Sequence, residues 1–222
     1  MKKKVKKPWP TQDVMNQIYE QHLWGGNAFD FYSGDGSHDP KIVKPYLESV
    51  ISFFELHNNN LTVCDLGCGD FNIGQHLVTY TKKYIAIDIV ENLIKRNKTI
   101  FKDERLEFRC LDAAIDQLPS ADCILLRQVL QHLSNSEIKN IVDKLKAFKY
   151  IILTEHIPIG EFIPNKDIIS GQGNRLKYHS GVDVLADPFN LNVIEKSVIS
   201  SVIPEDNKGQ IVTTLFISDK AE

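Results

Sequence analysis

Apolar residues recur at two different periods along this chain, and the period changes near residue 60. Before that point the spacing is helical. Val14, Ile18 and His22 lie four apart, which predicts a helix over about 11–22. Ile42, Val43, Tyr46, Leu47, Val50, Ile51 and Phe54 trace one face of a second predicted helix, over about 41–57, which Asn58, Asn59 and Asn60 stop. Between the two lies a loop rich in glycine and aromatics, LWGGNAFDFYSGDGSHDP.

From 61 to 155 short apolar runs alternate with helical patterns. LTVCDL, YIAIDI, LEFRCL, ADCILLR and KYIILTE read as strands. NIGQHLVTY and ENLIKRNKTIF read as helices. A further helix follows ADCILLR: Ser134 and Glu137 have capping-box spacing, and Ile138, Ile141, Val142 and Leu145 form its stripe. Such alternation predicts a parallel sheet covered on both faces. Beyond it runs a long loop, HIPIGEFIPNKDIISGQGNRLKYHSG. Two β-rich runs, LNVIEKSVIS and GQIVTTLFIS, follow, with Pro204, Asp206 and Gly209 between them, and read as an antiparallel hairpin.

A length of 222 residues suits one domain with a full core, or one domain plus a small cap. The expected organisation is a helical cap or lid over 1–58 and a main domain over 59–222, with a ligand-side loop at about 156–190. A net charge of −3 gives no general drive toward nucleic acid or anionic membrane, so the expected partner is a small molecule and the expected assembly a monomer or homodimer. The lysine run MKKKVKK reads as a solvated tail, since the polar stretch after it lacks a secretory signal's apolar core. No run approaches the ~18 apolar residues of a membrane span. These features, and four cysteines (Cys64, Cys68, Cys110 and Cys123) in or beside predicted strands without zinc-knuckle spacing, give the expectation of a cytoplasmic protein with reduced core thiols.

The strongest chemical signal is Asp65-Leu66-Gly67-Cys68-Gly69, directly after a strand and before a predicted helix. Glycines let the backbone turn sharply and approach a ligand, and a following helix would aim its free N–H groups there. Asp65 suits an ammonium-bearing ligand better than a pyrophosphate, which it would repel. Asp88 ends the next strand, 21 residues after Gly67, the distance at which a carboxylate accepts from ribose hydroxyls. Asp112 follows the third strand and could accept from an adenine amine. Each aspartate alone also reads as a helix cap or turn residue; three successive strand ends with the glycines read as a nucleoside site. The spacing is not GxGxxG, because Asn72 stands where the third glycine of a dinucleotide fingerprint would be, and no GK[ST] follows for a P-loop.

These segments resemble class I S-adenosylmethionine (SAM)-dependent methyltransferases. CDLGCGD is similar to their first motif, AIDIVENLI to the second, and CLDAAIDQLPSADCILLRQVLQHLSNSE to the third and fourth. The resemblance implies an α/β, Rossmann-like three-layer sandwich with a mostly parallel seven-stranded sheet and a C-terminal antiparallel hairpin. It implies SAM as cofactor, with Asp65 and Gly67 near the methionine part and Cys68 and Gly69 beside them. It puts Asp88 on the ribose, Ile89 against adenine, Asp112 and Ala113 at the adenine edge, and Arg127, Gln128 and Val129 along the methionyl side. One departure stands out: Phe71 occupies a position where the family often has a third glycine, and Gly74 comes later.

The acceptor half is less defined. His156 and Glu155 end the fifth strand and His132 follows the fourth; these are the candidate catalytic groups, with His156 preferred. NKDIISGQGNR and DPFNL resemble a subset of bacterial enzymes of this class, which makes Asn165, Asp167 and Arg175 candidate acceptor contacts, with Tyr178 and Tyr32 beside them. Such a polar wall would suit a sugar or another hydroxylated metabolite, methylated on oxygen or nitrogen. Trp24, Phe29, Phe31 and Tyr32 flank glycines and either pin the N-terminal segment or form a lid. LRQVLQH stands where enzymes acting on nucleobase or glutamine nitrogens carry (Asp/Asn)-Pro-Pro-(Tyr/Phe). No carboxylate cluster calls for a metal. A non-catalytic SAM-binding protein and an NAD(P)-dependent oxidoreductase are the alternatives.

Overall fold

A computed structural model describes residues 8–27 and 29–219; the lysine run at 1–7 lies outside them. Seven strands form one sheet in the order β3-β2-β1-β4-β5-β7-β6. They are β1 (Thr62–Leu66), β2 (Lys83–Asp88), β3 (Leu106–Cys110), β4 (Cys123–Arg127), β5 (Tyr150–Ile157), β6 (Glu195–Val202) and β7 (Gln210–Ile217). The first five run parallel; β7 is antiparallel to both β5 and β6. This is the expected sandwich. Crossovers fed by right-twisted strands put helices on both faces, and strand order reverses between β1 and β4.

Alternate residues of each strand serve the two faces. Cys64, Leu66, Ile85, Ile87, Ile124, Leu126, Ile151 and Leu153 enter one core, with α1 (Thr11–Glu20) and α4 (Asn135–Leu145). Val63, Tyr84, Ala86, Phe108, Cys123, Leu125 and Ile152 enter the other, against α2 (Pro40–Leu56). Helix α3 (Glu91–Ile100) contributes Leu93 to the first core and Ile94 to the second. Local chemistry sets the helix starts. Asp39 caps α2 ahead of a proline at its first position. The Ser134–Glu137 capping box starts α4, as its spacing predicts.

Three expectations are corrected. NIGQHLVTY is not an α-helix but two single 3-10 turns, Gly74–His76 and Val78–Tyr80. Phe71 turns into the left-handed region at φ 66°, burying its ring against Tyr84, Phe101 and Phe108. Gly74 makes room for that ring, since a Cβ there would overlap it. Helix α1 stops at Glu20, because His22 takes a positive φ of 51°. Of the four free cysteines, Cys110 is exposed at the end of the edge strand β3 rather than in the core. No helix among the described residues is long and apolar enough to cross a membrane.

Candidate cofactor and acceptor site

The tips of β1, β2 and β4 and the loop after β3 open into one cavity of about 340 Å³. Asp65, Asp88 and Asp112 all line it, so the three carboxylates expected to share a site do share one. The glycine loop lies over the tip of β2, with the Gly67 and Cys68 N–H groups both donating to Ile87 O (2.8 and 2.9 Å). Gly67 (φ 75°) and Gly69 (φ 55°) are required here: a Cβ on the first would overlap Val129, and on the second the Ser33 hydroxyl.

Each aspartate is held. Asp88 accepts from Gly69 N (3.1 Å) and Val90 N (3.0 Å), one on each oxygen, while burial raises its carboxyl pKa. Asp112 accepts from Ala114 N at 2.9 Å, an Asx turn that sets Ala113 on the wall. Asp65 accepts from the Tyr84 hydroxyl at 2.9 Å, and burial pushes it up to about 7. Ile89, Cys68, Arg127, Gln128 and Val129 also line the cavity. Arg127 donates to Ser37 Oγ (3.2 Å) and Gly36 O (2.5 Å), which moors the N-terminal loop to β4.

The loop's ligand-facing chemistry differs from expectation in one respect. The turn directly after Gly69 leads into 3-10 turns rather than an α-helix, so the glycine loop is not followed by an α-helical N-terminus.

The acceptor candidates mostly lie elsewhere. His132 does line the cavity, beside Trp24 (ring centroids 5.1 Å). Its Nδ1 donates to Gly173 O (3.2 Å) and its Nε2 accepts from the Gln131 amide (3.1 Å). Burial pushes it down to about 4. His156 is not on the cavity wall. Its side chain projects from the α2 side of β5, against Gly209 in the β6–β7 turn. Glu155 points to the opposite face and is buried away from the cavity, near Arg175 and the Leu130–Gln131 backbone; burial pushes it up to about 8.

Asn165, Asp167, Arg175, Tyr178 and Tyr32 are likewise off the cavity wall, each for a local reason. Buried Asn165 bridges loop backbone at Asp183 and Asp187. Asp167 accepts from Asn135 N at the start of α4. Arg175, 1% exposed, spends its guanidinium on the carbonyls of Lys166, Leu130, Gln131 and Leu133 and on Asn135 Oδ1. Tyr178 is exposed under Lys177. Tyr32 stacks on His38 and donates to Asp35. The loop faces the cavity instead through Gln172 and Asn174, so the expected wall of Asn165, Asp167, Arg175 and Tyr178 is not on this cavity.

Sequence reasoning also passed over one face of α1. Thr11, Met15 and Tyr19, spaced by four, line the cavity, one residue along from the Val14–Ile18 stripe that marks the helix. Thr11 bonds Glu137, whose carboxylate also accepts from Ser134 and Ser170. Ser33 and Ser37 complete the N-terminal wall. Among the described residues no three His, Cys, Asp or Glu side chains are grouped to hold a metal.

A glycine loop and three carboxylates surround one cavity on a sheet ordered 3-2-1-4-5-7-6, a Rossmann-like fold shared with solved methyltransferase structures. Residues 64–149 match the family model described as "Methyltransferase domain". Over that segment, which runs from within β1 through α4, the chain is similar to a methyltransferase domain. It is 26% identical over 113 residues to the ubiquinone biosynthesis O-methyltransferase of Rickettsia akari (strain Hartford), a match over 49% of this chain and 45% of that protein. The chain thus spans under half the length of this curated relative. Among solved structures, the N-methyltransferase NodS of Bradyrhizobium japonicum WM9, in complex with S-adenosylhomocysteine (SAH), superposes with a TM-score of 0.64 at 12% identity, over 92% of this chain and 99% of that one. Magnesium protoporphyrin IX methyltransferase of Synechocystis PCC 6803, with bound SAM, gives 0.59 at 15% identity, over 96% and 100%.

Proposed function

We propose that this chain transfers a methyl group from SAM to a small polar acceptor. The observation that carries the reading is the convergence of Asp65, Asp88 and Asp112 on one cavity beneath the glycine loop. In that cavity Asp88 faces the ribose hydroxyls, and Asp112 with Ala113 faces the adenine edge between Ile89 and Leu111. Asp65 faces the methionyl ammonium, and Arg127 with Gln128 lies along the same end. SAM supplies an activated methyl group, so the residues around it need mainly to align donor and acceptor.

The acceptor end is bounded by Trp24, His132, Gln172 and Asn174. His132 has both ring nitrogens engaged, and the hydroxyls around Glu137 occupy that carboxylate. A neutral amine, which carries its own lone pair, fits such a site better than a hydroxyl that must first lose a proton. Nitrogen is therefore the favoured acceptor atom.

Two features weigh against NAD(P). Asp65 would repel a pyrophosphate, and the 3-10 turns after Gly69 offer no helix N-terminus to receive one. A SAM-binding protein without turnover shares every feature of the cofactor half. Calorimetric titration with SAM, SAH and NAD is the direct test: binding of NAD alone would sink the proposal. Release of SAH in the presence of paired amine and hydroxyl acceptors separates an enzyme from a binder, and turnover of hydroxyl acceptors alone would reverse the preference for nitrogen.

A further inference from the structure

Asp65 is the carboxylate that the SAM reading assigns to the cofactor's ammonium, and its own support comes from beneath. On the α2 face of the sheet, Tyr84 of β2 donates its hydroxyl to Asp65 Oδ2 at 2.9 Å. Tyr84 is level with Val63, and Ala86 is level with Asp65, so the phenol runs two residues up the sheet past a small side chain. The ring is fully buried, in edge contact with Phe71 (5.9 Å), and is not part of the cavity wall. The other titratable groups around Asp65 are Arg127 of β4, set over the Tyr46 ring of α2 at 4.8 Å, with Cys64, Cys68 and Asp88.

We propose that Tyr84 is a positioning residue for the cofactor: its hydroxyl fixes one oxygen of Asp65 and keeps the carboxylate turned into the cavity as counter-charge to the α-ammonium. This rests on the SAM reading above and reaches the ligand only through Asp65. A rotatable carboxylate with one oxygen held has fewer orientations open to it, so more of its charge is in place before the ligand arrives. The same bond matters for protonation. Burial drives the Asp65 carboxyl up to about 7, the Tyr84 hydrogen bond opposes that rise, Asp88 adds to it and Arg127 offsets it. Without the phenol hydroxyl the carboxyl holds its proton to a higher pH, where a cation gains nothing from it.

The test is calorimetric titration of wild type and Tyr84→Phe with SAH, and with an SAH analogue lacking the α-amino group, between pH 6 and 8.5. The phenylalanine keeps the ring and its contact with Phe71. Expected for Tyr84→Phe is a loss of SAH affinity of about tenfold near pH 7. The gap narrows toward pH 8.5, and the deaminated analogue binds both proteins alike. Unchanged SAH affinity overturns the proposal, as does an equal loss at every pH or with both ligands, which marks Tyr84 as packing only. Failure of wild type to bind SAH at all overturns the cofactor reading, and this inference with it.

Discussion

Ser33 and Asp70 hold each other by two reciprocal bonds: Ser33 N donates to Asp70 Oδ2 and Asp70 N donates to Ser33 Oγ, both at 2.8 Å. His38 bonds the same Asp70 oxygen at 2.6 Å, and Tyr19 bonds the Ser33 hydroxyl at 3.0 Å. Arg96 reinforces the link from α3, pairing with Asp30 and donating to Asp70 O. The N-terminal loop is thereby clasped to the glycine loop across the cavity mouth.

Opening that clasp should loosen ligand retention. Asp70→Ala removes a buried acceptor of several bonds, and a loss of about 1–3 kcal/mol in stability is expected. Denaturant unfolding measures it. Stopped-flow displacement of SAH should show faster dissociation than in wild type; an unchanged off-rate would mean that the ligand leaves by another route.

Asp88→Ala should weaken SAM and SAH by about 1.5–3 kcal/mol, roughly tenfold to more than a hundredfold. Because Asp88 also holds Gly69 N and Val90 N, some loss of stability should accompany it, and the protein's circular dichroism spectrum should remain that of the fold. Affinity equal to wild type in calorimetry would move the ribose to another strand tip.

Glu155 gives a pH signature. Its pKa is raised to about 8 in the fold, by burial, from an ordinary value of 4.5. Between those values the unfolded chain releases a proton that the folded chain keeps, so stability falls as pH rises through this window. Glu155→Gln should therefore stabilise by about 1 kcal/mol or more at pH 8 and change little below pH 4.5. Urea unfolding from pH 4 to 9 checks the sign. Since Glu155 lies off the cavity wall, SAH release should continue in this variant, and a dead enzyme would restore it as a catalytic group.

Arg175→Lys should cost about 3–5 kcal/mol, because one ammonium cannot serve carbonyls spread from Leu130 to Lys166 and leaves buried acceptors bare. Tyr178→Ala, nearby but exposed, should stay within about 0.5 kcal/mol of wild type. Thermal melts of the two variants compare them directly, and equal midpoints would contradict the bracing role.

The cofactor half was legible because its chemistry lies at strand ends, where period-two burial fixes which side chain comes last. Asp65, Asp88 and Asp112 needed only the strand boundaries. The acceptor half depends on how a long loop folds back, and no periodicity reports that. His156 is one residue past Glu155, and in a strand that single step sends it to the opposite face. Asn165, Asp167 and Arg175 have the composition of a binding wall, yet their hydrogen-bonding capacity is used to satisfy buried backbone, an outcome that composition does not distinguish. The 3-10 turns after the glycine loop were hidden because NIGQHLVTY is apolar enough for a helix, and the left-handed, buried Phe71 that precedes it carries no periodic signal.

β7 lies inside the sheet, between β5 and β6, rather than at its rim. A polypeptide emerging from the ribosome must therefore carry β5 as an unpaired border, and β6 without its ladder, until residues 210–217 have been synthesised. Sealing of that side of the molecule waits for residues 210–217, and a chain cut short at residue 209 would present a bare row of amides along β5 to any other strand in reach.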